Sequence, residues 1–194
     1  EDQFAPSVAK SMDDLGGPAD LLLIHWPPAA REFDAALDRL MAEKARGMSA
    51  AIGVSNFTPN MMHRAFERTG GAIINNQVEF HPLLDQSAVL ATARNLGIAV
   101  SAYSPIARGK ALQPAAIKTI ARRLQRTPAE IVLRWIIQQG VIAIPMTTKR
   151  ENAITNLKAL TFELPEDDMA AIAALGSRNG RTINPSWMAG RWDE

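Results

Sequence analysis

Five short runs, four of them mostly apolar and all separated by patterns of helical period, constrain this chain more than any other feature of it. They are Leu21–Ile24, Ala50–Val54, Ile73–Phe80, Ile98–Tyr103 and Val141–Ile144. Such runs, too short for helices and largely lacking a polar face, read as strands buried on both sides. Between them, Phe4 to Leu15 sets Phe4, Val8, Met12 and Leu15 on one helical face before Gly16-Gly17-Pro18 stops it. Phe33–Arg46 closes at Gly47, Pro59–Arg68 at Gly70-Gly71 and Ser87–Asn95 at Gly97. Ala115–Leu124 and Ala129–Gln139 are two further helices, divided by Thr127-Pro128, an N-cap followed by a first-turn proline. Buried strands alternating with helices mean parallel pairing with helical crossovers, so the fold class is α/β. With no solenoid repeat, low-complexity tract or flexible linker, the reading is one domain over residues 1–194.

Two α/β architectures fit five units, an open doubly wound sheet and part of a (β/α)8 TIM barrel. The open sheet normally carries a glycine-rich phosphate loop, and no G-x-G-x-x-G or G-x-x-x-x-G-K-[ST] follows any of these strands. Polar residues gather instead at the C-terminal tips of successive strands: His25, Ser55-Asn56, Gln77 and Glu79, Tyr103-Ser104, and Thr147. A series of that kind describes the active face of a barrel. A closed barrel has eight units over roughly 250 residues, so a partial barrel is expected, its N-terminal strands absent. The chain opens without methionine, directly in a helical pattern, and upstream sequence is expected.

Bulk composition excludes several functions. The 21 basic and 20 acidic residues leave a net charge of +1, no field to recruit nucleic acid or an anionic membrane. No apolar run approaches the ~20 residues that span a bilayer, and the acidic start Glu1-Asp2-Gln3 is not a secretion signal. Absence of cysteine removes disulfides, thiolate nucleophiles and thiolate metal sites, and fits a cytoplasmic protein. The histidines at 25, 63 and 81 lack metal-ligand spacing, so no metal is expected.

Four ordered motifs carry a resemblance: Asp20 through Pro27 with His25 and Trp26, Gly53-Val54-Ser55-Asn56-Phe57, Asn76 through Pro82, and Ala102-Tyr103-Ser104-Pro105. In these the chain resembles the aldo-keto reductases from Phe4 to its end. Arg181 through Pro185, with Trp192-Asp193, is similar to the bacterial 2,5-diketo-D-gluconate reductase-like members. The resemblance implies a barrel that reduces aldehydes or ketones to alcohols with NADPH or NADH. It implies a small carbonyl compound as partner, and a monomer where the barrel is complete. His25 would orient and hydrogen-bond the carbonyl oxygen, Ser55, Asn56 and Gln77 would hold the nicotinamide carboxamide, and Tyr103 would stack on the ring next to Ser104. Trp26 would face the substrate, with Trp187 a candidate for the far wall; His63 and His81 are left to structural or surface parts.

The family's proton-donating tyrosine, with its lysine and aspartate, lies on strands before the one that carries His25, and none of the three is in this chain. Family members that prefer NADP place a Lys-Ser pair after the last strand and an Arg shortly after, where this chain has Met146, Thr147 and Asn152. Lys149 and Arg150, read as lying on the same loop, are candidates to replace the lost cations, Arg150 first for its planar fork. Thr147 keeps a hydroxyl, and Asn156 fits the adenine-contacting amide. Arg108 reads equally well as a pyrophosphate partner and as a solvated loop arginine. A second reading of the whole is a truncated, catalytically inactive relative that binds a nucleotide or a protein partner.

Overall fold

The computed structural model describes residues 3–192. Its strands are β1 (Ala19–Ile24), β2 (Ser49–Ser55), β3 (Ile73–Glu79), β4 (Ala99–Tyr103) and β5 (Ile142–Ala143), ordered in the sheet as in the chain. Registers are parallel for β1 with β2, β2 with β3 and β4 with β5. The helices are α1 (Phe4–Leu15), α2 (Phe33–Ala45), α3 (Pro59–Arg68), α4 (Ser87–Leu96), α5 (Ala115–Arg123), α6 (Pro128–Gln138), α7 (Arg150–Leu157) and α8 (Glu166–Ala173). The α/β class expected from the alternating pattern is what forms.

Two compact units divide the described residues: residues 3–77, 88–99 and 190–192 make one, and residues 78–87 and 100–189 make the other. In the first, Val8 and Met12 are the buried face of α1. That helix ends where Gly16, at φ 79°, lets Gly16 and Gly17 donate back to Asp13 and Met12. From α2, Phe33, Leu37 and Leu40 are buried together with Ile52, Val54, Phe57 and Met62, the rings of Phe33 and Phe57 lying 5.2 Å apart. Thr58 caps α3 by accepting from Met61 N, with Pro59 in the first turn.

The second unit is built on α6, whose Ile131, Val132, Leu133, Trp135 and Ile136 are all buried. Thr127 and Glu130 close its N-terminus reciprocally, Glu130 N donating to Thr127 Oγ1 at 3.2 Å and Thr127 N to Glu130 Oε2 at 2.7 Å. Trp135 stacks on Phe80 at 5.7 Å and donates Nε1 to Met169 O, which ties α6 to α8.

Three expectations need correction. The run Leu21–Ile24 predicts a strand buried on both faces, but β1 is only half buried, with Leu21 36% exposed; it stands at the end of the sheet order, where a strand has one neighbour. The run Val141–Ile144 shrinks to the two residues of β5, and Ile142 and Ile144 are exposed. Arg150 is not on a loop, because it is the first residue of α7. That helix has no buried residue, so it lacks the apolar stripe by which periodicity finds helices.

Candidate active site

In the first unit the tips of β1, β2 and β3 are joined by side chains. Parallel register sets Ile24 beside Val54 and Ser55 beside Gln77. Ser55 Oγ donates to Gln77 O at 2.7 Å, and Asn56 N donates to the same carbonyl at 2.9 Å. The Asn56 side-chain amide donates to His25 O at 3.1 Å and to Ser55 Oγ at 3.2 Å. Ser55 and Asn56 are buried, Gln77 is half-buried and His25 is exposed. The structure therefore brings His25, Ser55, Asn56 and Gln77 together, four of the residues read from strand tips.

Backbone geometry explains the residue types. Asn56 has φ 64°, in the left-handed region that asparagine tolerates better than most side chains. Register shifts between Ile52 and Val54 against β3, and a Cβ on Gly53 would stand 2.6 Å from Asn75 O and 2.6 Å from Leu23 Cδ2. Only glycine lets the three strands approach this closely. Asn76, fully buried, exchanges hydrogen bonds with Phe57: its Nδ2 donates to Phe57 O at 2.9 Å, and Phe57 N donates to its Oδ1 at 3.3 Å. Sequence reasoning misses this clamp. The one signal for it is position, since Asn76 points to the opposite face from Gln77 along the strand.

The Trp26 ring is stacked on His25 at 6.0 Å and meets Trp192, tilted, at 6.4 Å. The sequence presents Trp192 only as part of a C-terminal motif; in the structure it is a neighbour of the expected substrate-facing indole.

In the second unit, Tyr103 ends β4 and is half-buried. Burial and the negative charge of Glu79 push its phenol well above the ordinary value, against opposing effects of Arg181 and the Glu79 backbone. A phenol held un-ionised in this way suits a stacking face better than an acid. Ser104 at φ 49° and Arg108 at φ 53° are left-handed, so with Asn56 three of the five described non-glycine residues with positive φ fall on expected cofactor positions. Such strain concentrates at functional sites. Arg108 is exposed beside Gly109, in the 3-10 segment Ala107–Leu112.

The carboxylate of Glu79, fully buried at the end of β3, accepts from Thr182 N at 2.8 Å, Ile183 N at 3.1 Å and Thr182 Oγ1, and lies 3.0 Å from His81 Nε2. Burial raises the carboxyl group, while the bonds from His81, Thr182 and Ile183 outweigh that and hold it below its usual value. His81, also fully buried, is thus structural, as expected; His63 on α3 is exposed.

Thr147 and Asn156 line one cavity of about 350 Å3 with Pro145, Ala153, Leu157 and Leu160. Thr147 Oγ1 accepts from Lys149 N at 3.1 Å just before α7, whose N-cap Lys149 supplies no side-chain cap. Lys149 and Arg150 stand at the start of α7, with Glu151 also in its first turn. Met146 is 84% exposed, and Trp187 is 51% exposed. Among the described residues no group of three or more His, Asp or Glu side chains could hold a metal ion, and no helix is long and apolar enough to cross a membrane.

A family model described as the aldo/keto reductase family matches residues 2–177. The methylglyoxal reductase DkgB of Escherichia coli O157:H7 is 38% identical over 197 aligned residues, covering 100% of this chain and 73% of that protein. A crystal structure of a proposed 2,5-diketo-D-gluconic acid reductase B superposes with TM-score 0.93 at 36% identity, over 98% of this chain and 69% of that one. A mutant of Gox0644, solved in complex with NADPH, gives TM-score 0.88 at 34% identity, over 94% of this chain and 68% of its own. The five parallel strands with their crossovers thus correspond to part of a (β/α)8 barrel, as the strand-tip series predicts.

Proposed function

The chain belongs to the aldo/keto reductase family, and from that membership we propose that it serves the reduction of an aldehyde or ketone to the alcohol, with NADPH or NADH as reductant. The observation that carries this reading is the joined cluster of His25, Ser55, Asn56 and Gln77 at three strand tips. Relatives named as reductases of methylglyoxal and of 2,5-diketo-D-gluconic acid make a small, oxygen-rich carbonyl the proposed substrate class.

The residues fit a nicotinamide nucleotide. Its carboxamide offers both an acceptor and donors, which matches a hydroxyl and two side-chain amides at Ser55, Asn56 and Gln77. In the second unit, Lys149 and Arg150 at the start of α7, and Arg108 on its exposed left-handed turn, are cations of the kind that suit phosphate. The nucleotide, when bound, supplies the hydride.

What the chain itself contributes is placement and polarisation. His25, exposed and braced through its own carbonyl by Asn56, is proposed to hydrogen-bond the carbonyl oxygen and hold it where negative charge develops. Trp26, stacked on His25, offers an apolar wall. Tyr103 presents an uncharged ring face, kept neutral by burial and by Glu79.

Titration of NADPH against the chain, followed by protein fluorescence, tests the reading first. Saturable binding in the micromolar range usual for enzyme ligands is expected, weakened by Gln77→Ala and Asn56→Ala. Reduction of methylglyoxal by a form of the protein that includes the family's tyrosine, lysine and aspartate, followed by loss of nicotinamide absorbance, tests the second half, and His25→Ala should lower its kcat far more than NADPH affinity. No saturation at millimolar NADPH would sink the proposal.

A further inference from the structure

A side-chain amide carries the same kinds of acceptor and donor as a peptide group, so an asparagine can partner a main-chain residue that has left its ladder. Asn76 does so at the tip of β3. Register sets it beside Val54, and its buried side chain reaches forward to Phe57, donating Nδ2 to Phe57 O at 2.9 Å and accepting at Oδ1 from Phe57 N at 3.3 Å. The main chain needs this partner. Asn56 N still bonds to Gln77 O of β3, but Asn56 turns at φ 64°, and the buried Phe57 would otherwise hold two polar main-chain groups unsatisfied. The ring of Phe57 is seated 5.2 Å from that of Phe33 on α2. Ser55 and Asn56 therefore lie between a strand ladder on one side and a clamped, buried residue on the other.

We propose that Asn76 is a positioning residue, whose amide fixes Phe57 and thereby sets the Ser55-Asn56 turn that braces His25. The inference rests on the reading of Ser55 and Asn56 as residues that hold the nicotinamide carboxamide. Its path is a chain of hydrogen bonds: Asn76 to Phe57, and from the residue before Phe57, Asn56 Nδ2 to His25 O at 3.1 Å. Alternation turns Asn76 to the opposite face of β3 from Gln77, so it acts through the turn and not by contact with the carboxamide. The amide is also specific. An ionised aspartate in its place keeps an acceptor for Phe57 N but sets a carboxylate oxygen against Phe57 O, whereas a protonated one offers an O–H there and restores both bonds. Burial and the facing carbonyl favour that protonated form.

Asn76→Asp therefore carries its own rescue, which a cavity or a general loosening does not. Hydrogen exchange on the whole chain reads the clamp without reference to the cofactor. At about pH 8.5, exchange of the peptide covering 55–60 should be roughly fivefold faster in Asn76→Asp than in the parent, the equivalent of one hydrogen bond, while α2 keeps its protection. At about pH 6 the ratio should fall toward one. Asn76→Ala, which loses both bonds, should exchange faster than the parent at both pH values. Titration of NADPH reads the consequence: Asn76→Asp should bind about fivefold more weakly than the parent at the higher pH and recover at the lower, and Asn76→Ala should be weaker at both. Comparison with the parent at the same pH removes the titration of His25, which every variant keeps. Should Asn76→Ala not fold, the two pH values of Asn76→Asp decide alone. An exchange ratio for Asn76→Asp that does not move with pH, or an equal loss of protection in α2, would overturn the clamp. A loosened turn with NADPH affinity unmoved would overturn the positioning role. Absence of saturable NADPH binding by the parent chain would instead remove the proposed function, and the positioning role with it, while the exchange result still decides the clamp.

Discussion

The side-chain amide of Asn56 reaches across 3.1 Å to the main-chain carbonyl of His25, so the residue after β2 holds in place the residue after β1. The contact explains why a buried asparagine with φ 64° occurs where the chain leaves the sheet. Its removal has two separable costs. Asn56→Gly keeps the left-handed backbone but loses the bonds to His25 O and Ser55 Oγ, each worth about 1 kcal/mol. Asn56→Ala loses the same bonds and adds a left-handed Cβ, for roughly 1–2 kcal/mol more. Urea unfolding should rank the parent chain above Asn56→Gly, and Asn56→Gly above Asn56→Ala. An alanine variant more stable than the glycine one would refute this account of the turn.

Gly53 gives a second, purely steric prediction. A methyl group there would lie 2.6 Å from the backbone oxygen of Asn75, which cannot rotate away. Overpacking of this kind costs about 1–3 kcal/mol, and Gly53→Ala should show it as a lowered melting temperature. Because Gly53 leads directly into Ser55 and Asn56, weaker NADPH binding should accompany the loss. A fully stable Gly53→Ala would show that β2 and β3 can separate there at little cost.

The alternation of apolar runs and helices was legible in sequence because burial imposes a period, and α1 from Phe4 to Leu15 was readable to the residue. Where burial is weak the reading failed: β5 has two residues and α7 has no buried face. The strand-tip positions of Ser55, Asn56, Gln77 and Tyr103 were readable because polar residues end apolar runs. The Asn76 clamp on Phe57 and the bond from Thr182 to Glu79 were not, since each depends on a side-chain direction or a contact between distant segments that local pattern does not encode. Glu79 in particular stands in the sequence like any other polar strand tip, and only its buried donors distinguish it.

Tyr103 makes stability depend on pH on the alkaline side. Its phenol is raised above the ordinary 10.0 in the folded state, by burial first and by Glu79 second. The neutral form is therefore favoured by folding, and its contribution is fully present below the unfolded value and is lost as pH rises through the folded one. As the only tyrosine of the chain, Tyr103 has no phenolic competitor for this signal. From about pH 10 upward the parent chain should lose stability faster than Tyr103→Phe, with the difference approaching about 1.4 kcal/mol per pH unit at most. Parallel profiles for the two proteins would show that the ring does not stay neutral by virtue of its site.

Cofactor choice turns on the residues around the start of α7. Met146 cannot pair with a 2′-phosphate, and it is 84% exposed, so a lysine in its place disturbs no packing. A hydrogen bond to a charged group contributes about 1.5–3 kcal/mol, but at so exposed a position screening reduces it to about 1 kcal/mol, roughly fivefold in affinity. Met146→Lys should therefore raise the NADPH-to-NADH affinity ratio by that factor. Arg150 is the first residue of α7, and its planar fork suits phosphate better than the point charge of Lys149. Arg150→Ala should lower the same ratio by a similar factor, and Lys149→Ala by less. The parent chain, with one cation recovered where two are lost, should discriminate weakly between the cofactors. Parallel titrations at fixed salt decide this: NADPH bound more than about 100-fold tighter than NADH, a gap of ~2.7 kcal/mol, would mean that the lost cations are fully replaced, and an Arg150→Ala variant with an unchanged ratio would mean that another residue replaces them.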